Sequence, residues 1–217
     1  MNQVLLFDVE GTTTDIAFVH QTLFPYSRER MATFVKSHGD LPVVQKLTAQ
    51  YGSIDQVVKT LLGWIQNDKK ESALKELQGL IWDEGYRHGD FKGHVYPDVR
   101  PAFEQWKKSG KTLAIYSSGS VHAQKCIFGF STDGDLTPLI SNYFDTAVGA
   151  KRESESYHEI ARQLGVTTSA ITFYSDIKEE LDAARAAGMQ TRQVFRSGNS
   201  QNQGHISVET FANEAKS

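Results

Sequence analysis

Val4-Leu5-Leu6-Phe7 is a continuous apolar run, and Asp8-Val9-Glu10-Gly11-Thr12 follows it without a break. Unbroken hydrophobicity over so short a span is the pattern of a parallel strand buried on both faces. In open α/β sheets ligands bind outside the carboxyl ends of the strands, so Asp8 and Glu10 stand where chemistry is usually done. Spaced i, i+2 on an extended chain leaving a strand, the two acids can point at one cation or one substrate. Their repulsion is costly unless a bound cation or a shared proton offsets it. Gly11 lets the backbone turn sharply there. A strand followed by an ordinary polar turn would look the same over these residues, and the choice rests on the rest of the chain.

After Thr14 the periodicity becomes helical and stays so up to Lys111. The pattern predicts helices over residues 25–36, 41–51, 54–66 and 67–87, with Ser53 and Asn67 as caps of the last two. A single α/β crossover seldom carries so many helices, so this stretch reads as an insertion. Residues 89–97 are a glycine-rich return to the core. Asp98 is expected to cap a helix ending at Ser109. A second buried-type strand over 111–116 terminates in Ser117-Ser118-Gly119-Ser120 and a helix from Val121. Hydroxyls and free amides at such a turn suit an anion, although on this stretch alone Ser120 as a plain helix cap is the stronger reading.

A brief strand is expected near 146–148, then Gly149-Ala150-Lys151, then a helix from Ser154 or Ser156 closed by Gly165. Residues 170–174 form the next strand and run into Ser175-Asp176. A helix over 177–187, closed by Gly188, begins with Glu179, Glu180 and Asp182, acids that complement its dipole. Residues 190–194 are a last strand, and the tail from Ser197 reads as loop with one short terminal helix. This order predicts an α/β fold, a doubly wound, Rossmann-like parallel sheet with a helical cap domain inserted after the first strand. The expected boundaries are 1–15 and 97–217 for the core and 16–96 for the cap.

The 217 residues suffice for a core domain carrying such an insertion. A net charge of −3 with interspersed signs leaves no basic patch, so no nucleic acid is implied. The single cysteine, Cys126, excludes an intrachain disulfide and fits a reducing cytoplasm; its amphipathic setting is that of a buried structural thiol. No stretch has the length of a membrane span, and the first residues lack the pattern of a signal peptide. Repeats and low-complexity segments are absent.

Four strand exits deliver Asp8 with Glu10, Ser117 with Ser118, Lys151, and Asp176. Two acids from different exits can share a hard cation, while hydroxyls, helix-end amides and a lysine surround a phosphoryl group with positive charge. Each feature alone is weak; the ordered set is specific. It resembles the haloacid dehalogenase superfamily over nearly the whole chain. Asp8-Val9-Glu10-Gly11-Thr12 matches the first motif, Ser117-Ser118 the second, Lys151 the third, and Asp176 with Glu180 the fourth. The usual phosphatase has aspartate two residues after the nucleophile, where this chain has Glu10. That change, with Thr12-Thr13-Thr14, Phe18-Val19, the segment from Phe91 to Val99 and the segment from Lys151 to Tyr157, resembles the enolase-phosphatase family of methionine salvage.

The resemblance implies hydrolysis of a phosphate ester through an aspartyl-phosphate on Asp8, with one Mg²⁺ held by Asp8, Asp176 and the Glu10 position. The superfamily pattern uses the backbone carbonyl at that last position, leaving the Glu10 side chain for proton transfer. Ser117, Ser118 and Lys151 would hold the phosphate, and the cap would select the far end of the substrate. The implied substrate is a phosphorylated diketone, 2,3-diketo-5-methylthiopentyl 1-phosphate, enolised before hydrolysis to an acireductone. A cytoplasmic monomer is expected, with no membrane or nucleic-acid partner. Two other readings use the same fold: a general phosphomonoesterase of sugar phosphates or nucleotides, and a 2-haloacid dehalogenase, which needs neither Mg²⁺ nor an acid at Glu10. A binding protein without catalysis would have no need of Asp8.

Overall fold

The structure is a computed structural model, and it describes residues 3–196 and 204–215. Among these, six strands form one parallel sheet: β1 (Val4–Phe7), β2 (Thr112–Tyr116), β3 (Asn142–Phe144), β4 (Ile171–Ser175), β5 (Gln190–Val194) and β6 (Ile206–Val208). Their order is β3-β2-β1-β4-β5-β6. The helices are α1 (Ile16–Phe18), α2 (Phe24–Ser37), α3 (Pro42–Tyr51), α4 (Ile54–Gln66), α5 (Ser72–His88), α6 (Val99–Lys108), α7 (Val121–Gly129), α8 (Ser154–Leu164), α9 (Lys178–Ala186) and α10 (Phe211–Glu214). A π-helical stretch, Val19–Leu23, joins α1 to α2.

The chain enters at the centre of the sheet, runs outward to β3, then crosses back to β4 on the other side of β1. The point where the order reverses is therefore the carboxyl end of β1, the usual ligand position in such sheets. Every residue of β1 is buried because helices cover both of its faces. On one face Val4 and Leu6 join Tyr157 and Ile160 of α8 and Leu181 and Ala184 of α9. On the other, the Phe7 ring lies 4.9, 5.4 and 5.5 Å from those of Phe103, Trp106 and Phe211, brought by α6 and α10. Emptying such a site, as in Phe7→Ala, costs about 3–5 kcal/mol, so the strand that carries Asp8 is rigidly seated.

The chain divides into two compact units, Met1–Ile16 with Lys92–Ser217, and Ala17–Phe91. The second is helical and packs α2 to α5 around Met31, Val35, Val44, Leu61, Leu77 and Ile81. Ser53 caps α4, its Oγ accepting the Gln56 N–H at 3.3 Å. Gly85 leaves room for aromatic packing, because a Cβ there would meet the Phe91 and Tyr26 rings at 2.6 and 2.7 Å.

Several local expectations are corrected. Residues 92–96 belong with the α/β unit rather than with the insertion, since Gly93 N donates to Phe130 O and Tyr96 N to Thr13 O. Thr146–Val148 is a 3₁₀ turn, started by Asp145 Oδ1 accepting the Ala147 N–H; the strand lies earlier, at β3. Asn67 ends α4, its Nδ2 donating to Gly63 O, and the next helix waits until Ser72. Asp98 precedes α6, but its carboxylate makes no cap and turns to Arg196, Thr210 and Phe211 instead. The tail read as loop contains β6 as well as the short helix α10; its first part, residues 197–203, lies outside the described residues.

Candidate active site

Phe7 pairs with Ile115 of β2 and Tyr174 of β4, so Asp8 leaves the sheet between the loops bearing Ser117 and Asp176. Its own N–H still donates to Tyr174 O at 2.9 Å. The chain then turns at once, and does not continue extended as the i, i+2 argument supposed. Val9 O accepts the N–H groups of Thr13 and Thr14 at 2.9 Å each, and Gly11 N donates to Thr14 O at 2.8 Å. Gly11 has φ +74°, and a Cβ on it would lie 2.3 Å from Asp176 Oδ2. The glycine is thus required both for the turn and for the close approach of the second acid.

The three threonines that follow are fully buried, and each hydroxyl makes a bond, as buried hydroxyls should. Thr12 Oγ1 accepts the Asp176 N–H at 3.1 Å, Thr13 Oγ1 donates to Asp8 O at 3.1 Å, and Thr14 Oγ1 donates to His94 O at 2.9 Å.

Lys151 is not carried by a strand exit, because β3 ends at Phe144 and the 3₁₀ turn intervenes. Two tyrosines fix its loop: Tyr116 Oη donates to Gly149 O at 2.9 Å and Tyr157 Oη to Lys151 O at 2.6 Å. The ammonium reaches Asp8 Oδ1 at 2.5 Å and Glu180 Oε2 at 2.7 Å, all three side chains being nearly buried. Val9 N also donates to Asp8 Oδ1, at 2.8 Å, so one oxygen of that carboxylate is doubly held. Ser175 Oγ fixes Glu180 with a bond of 3.0 Å.

Three carboxylates face one ammonium here. Burial first, then the charge of Asp8, pushes Asp176 up from 3.8 to about 6. Burial and Asp8 also push Glu180 up, against the pull of Lys151. Lys151 loses hydration by burial, yet Asp8 and Glu180 hold it charged. Among the described residues, Asp176 Oδ1 is buried without a hydrogen-bond partner. An excess of carboxylate oxygen around a buried, unsatisfied oxygen is the donor set that suits a hard divalent cation. Asp8 and Asp176 are the residues able to hold one.

Thus the fold brings Asp8, Lys151, Glu180 and Asp176 together. Glu10 begins the turn, and its charge adds to those that raise Asp176. Ser117 is buried, with Oγ accepting the Gly119 N–H at 3.1 Å, whereas Ser118 is exposed on the same loop. By charge pattern Glu180 reads as a helix-dipole partner, and by resemblance it stands with Asp176 in the fourth motif at a spacing of four, one helical turn; its contact with Lys151 and the bond from Thr12 to Asp176 are what the sequence does not show.

A doubly wound sheet whose first strand ends in an acid bonded to a buried lysine defines a hydrolase class. A family model described as haloacid dehalogenase-like hydrolase matches residues 3–188, and the chain belongs to that family. More particularly, it is similar to proteins named Enolase-phosphatase E1. That of Stenotrophomonas maltophilia strain K279a is 51% identical over 89% of this chain and 87% of its own. That of Klebsiella oxytoca is 48% identical over 97% and 96%. Among solved structures, the UTR4 protein of Saccharomyces cerevisiae superposes with a TM-score of 0.84 at 35% identity, covering 97% of this chain and 98% of that one. L-2-haloacid dehalogenase from Xanthobacter autotrophicus, at 16% identity and TM-score 0.62 over 100% and 98%, shares the fold. Among the described residues no helix is long and apolar enough to cross a membrane.

Proposed function

We propose that the protein is a Mg²⁺-dependent enolase-phosphatase acting on 2,3-diketo-5-methylthiopentyl 1-phosphate in methionine salvage, through an aspartyl-phosphate on Asp8. The observation that carries this reading is the Asp8 carboxylate, oriented by Lys151 at 2.5 Å on one oxygen at the end of the central strand. With Oδ1 held by Lys151 and Val9 N, Oδ2 is the oxygen left to attack.

Enolisation comes first. The Glu10 carboxylate takes a proton from the carbon next to a carbonyl, the electron pair moves onto the carbonyl oxygen, and Glu10 returns the proton to that oxygen, which completes the enol and restores the carboxylate. Asp8 Oδ2 then forms a bond to phosphorus while the ester P–O bond breaks, and the departing oxygen takes a proton that Glu10 has drawn from solvent. Water next attacks the phosphorus and the Asp8 O–P bond breaks; the water's proton passes to Glu10 and on to solvent, and phosphate and free Asp8 are released. Lys151 neutralises charge on the phosphoryl oxygens throughout, and Ser117 and Ser118 orient them. Mg²⁺, held by Asp8, Asp176 and the backbone carbonyl of Glu10, would supply charge neutralisation and polarise oxygens of the substrate.

We assign Ala17–Phe91 the part of a cap unit that selects the methylthio end. A cytoplasmic monomer suits a small soluble metabolite, and the buried lone thiol of Cys126 suits a reducing compartment.

The test is incubation with the diketo phosphate and Mg²⁺, with ultraviolet absorbance reporting the enol and a separate assay reporting phosphate. Enol followed by phosphate is expected. Phosphate from this and many simple esters, with no enol, would instead favour a general phosphomonoesterase. Glu10→Asp sharpens the distinction, and should slow the diketo substrate more than p-nitrophenyl phosphate, since only the former needs a proton moved at carbon. Equal losses on both would remove Glu10 from enolisation.

A further inference from the structure

The buried charges that this reaction does not use converge on Arg196, two residues past β5. Its side chain is 8% exposed and carries a buried ion pair, Nη1 donating to the Asp98 oxygens at 2.8 and 2.7 Å. The guanidinium carbon lies 4.4 Å from the ring centroids of both Tyr96 and Phe211. Asp98 Oδ2 is itself held by Thr210 Oγ1 at 2.9 Å and Phe211 N at 2.7 Å. The ion pair and the two rings therefore fix the guanidinium plane. A buried ion pair is weak evidence of stabilisation, since desolvation offsets much of its attraction, so the place where a donor outside the pair points is informative.

That donor, Nε, bonds to Thr12 O at 2.8 Å. Thr12 is the residue whose hydroxyl accepts the Asp176 N–H at 3.1 Å. A continuous relay thus runs from Asp98 through Arg196 and Thr12 to Asp176. It ends where rigidity is hardest to keep: the Asp176 carboxylate stands over Gly11 and beside the like charge of Asp8. Repulsion between those acids favours any motion that parts them, and the turn at Thr12 is the element that would yield.

We propose that Arg196 is a positioning residue for the reaction, holding the Thr12 carbonyl so that the Thr12 hydroxyl keeps Asp176 beside Asp8 in the geometry that a cation needs. The inference rests on the reading of Asp8 and Asp176 as the cation-bearing acids. Groups that orient metal ligands typically change affinity by about 10–100-fold when removed.

Two links are cut separately. Arg196→Lys keeps a charge for Asp98, but its single ammonium lacks the fork that reaches both Asp98 and Thr12. Thr12→Val keeps shape and removes the acceptor for Asp176, and Thr12→Ser restores that acceptor. The measurements are Mg²⁺ binding by calorimetry without substrate, thermal unfolding, and kcat and KM separately. Arg196→Lys and Thr12→Val are both expected to weaken Mg²⁺ binding by about 10-fold or more and to lower kcat with KM for substrate near wild type. Thr12→Ser should return to within a few-fold of wild type. Should Arg196→Lys not fold, the neutral pair Asp98→Asn/Arg196→Gln replaces it at the same link. Unchanged Mg²⁺ binding in either link's variant, even with a lowered melting temperature, overturns the relay. Failure of the wild type to bind Mg²⁺ would instead overturn the functional reading on which it rests.

Discussion

Asp176→Asn should make the metal-free protein more stable above neutral pH. In the fold this carboxyl titrates at about 6, against 3.8 for an unperturbed aspartate. Burial and the Asp8 charge both disfavour its ionised form, so the native state keeps a proton that the unfolded chain has already released. Stability is therefore fully present below about pH 4, falls as pH rises through the window from there to about 6, and stays lost above it. At about 1.36 kcal/mol per pH unit, the loss amounts to roughly 3 kcal/mol as an upper limit. Asparagine is neutral at every pH and has nearly the same shape. In chelator at pH 8, Asp176→Asn should unfold at a higher temperature than wild type, by about 2–4 °C for each kcal/mol recovered. The two proteins should converge at pH 4. Saturating Mg²⁺ should reverse the ranking, since a ligand that binds only the native state stabilises it. Thermal scans at both pH values, with and without Mg²⁺, check this. A mutant no more stable than wild type at pH 8 in chelator would refute the claim that the ionised acid is a burden on the fold.

Other expectations come from the same cluster. Asp8→Asn keeps size and fold but removes the nucleophilic charge, so kcat should collapse while the circular dichroism spectrum and melting profile remain native-like. Gly11→Ala forces a side chain into a left-handed turn and into the Asp176 carboxylate, 2.3 Å from its Cβ; Mg²⁺ affinity by calorimetry should fall along with activity. Lys151→Met leaves Asp8 and Glu180 facing without a cation, a loss of about 3–5 kcal/mol for a broken buried pair. Adding Glu180→Gln should recover part of that in urea denaturation, and a double mutant less stable than the single would contradict the geometry.

The strand-end argument made much of the site legible because it depends only on local pattern. A short apolar run shows where a buried strand stops, and the first residues beyond it are placed by the sheet. Asp8 and Asp176 were found this way. Lys151 was reached by the same rule for a reason the structure corrects: its strand ends seven residues earlier, and two tyrosines hold the loop that presents it. Nothing local marks Tyr116 and Tyr157 as anything but core. Asp98 and Asn67 misled for a related reason. Each has the side chain of an N-cap, but Asp98 finds a guanidinium about a hundred residues away in sequence, and Asn67 folds back on the helix it follows.

What the pattern of strands does not supply is the balance of charge. Whether acids at strand ends are solvated or locked together depends on contacts across the whole chain, such as Lys151 with Asp8 at a separation of 143 residues. Glu180 shows the consequence. On a helical wheel it is one of two acids in a first turn, both favourable to the dipole, and only Glu180 is buried. Burial changes its meaning, because an acid in solvent contributes tenths of a kcal/mol to its helix, whereas a buried one must find a cation. The cation it finds is the one that also holds Asp8. The lysine is thereby shared between two carboxylates, and under the proposed function a bound phosphate or divalent ion would redistribute that attraction. Three carboxylates around one ammonium leave an excess of negative charge, and that imbalance is a property of the fold, not of any one motif.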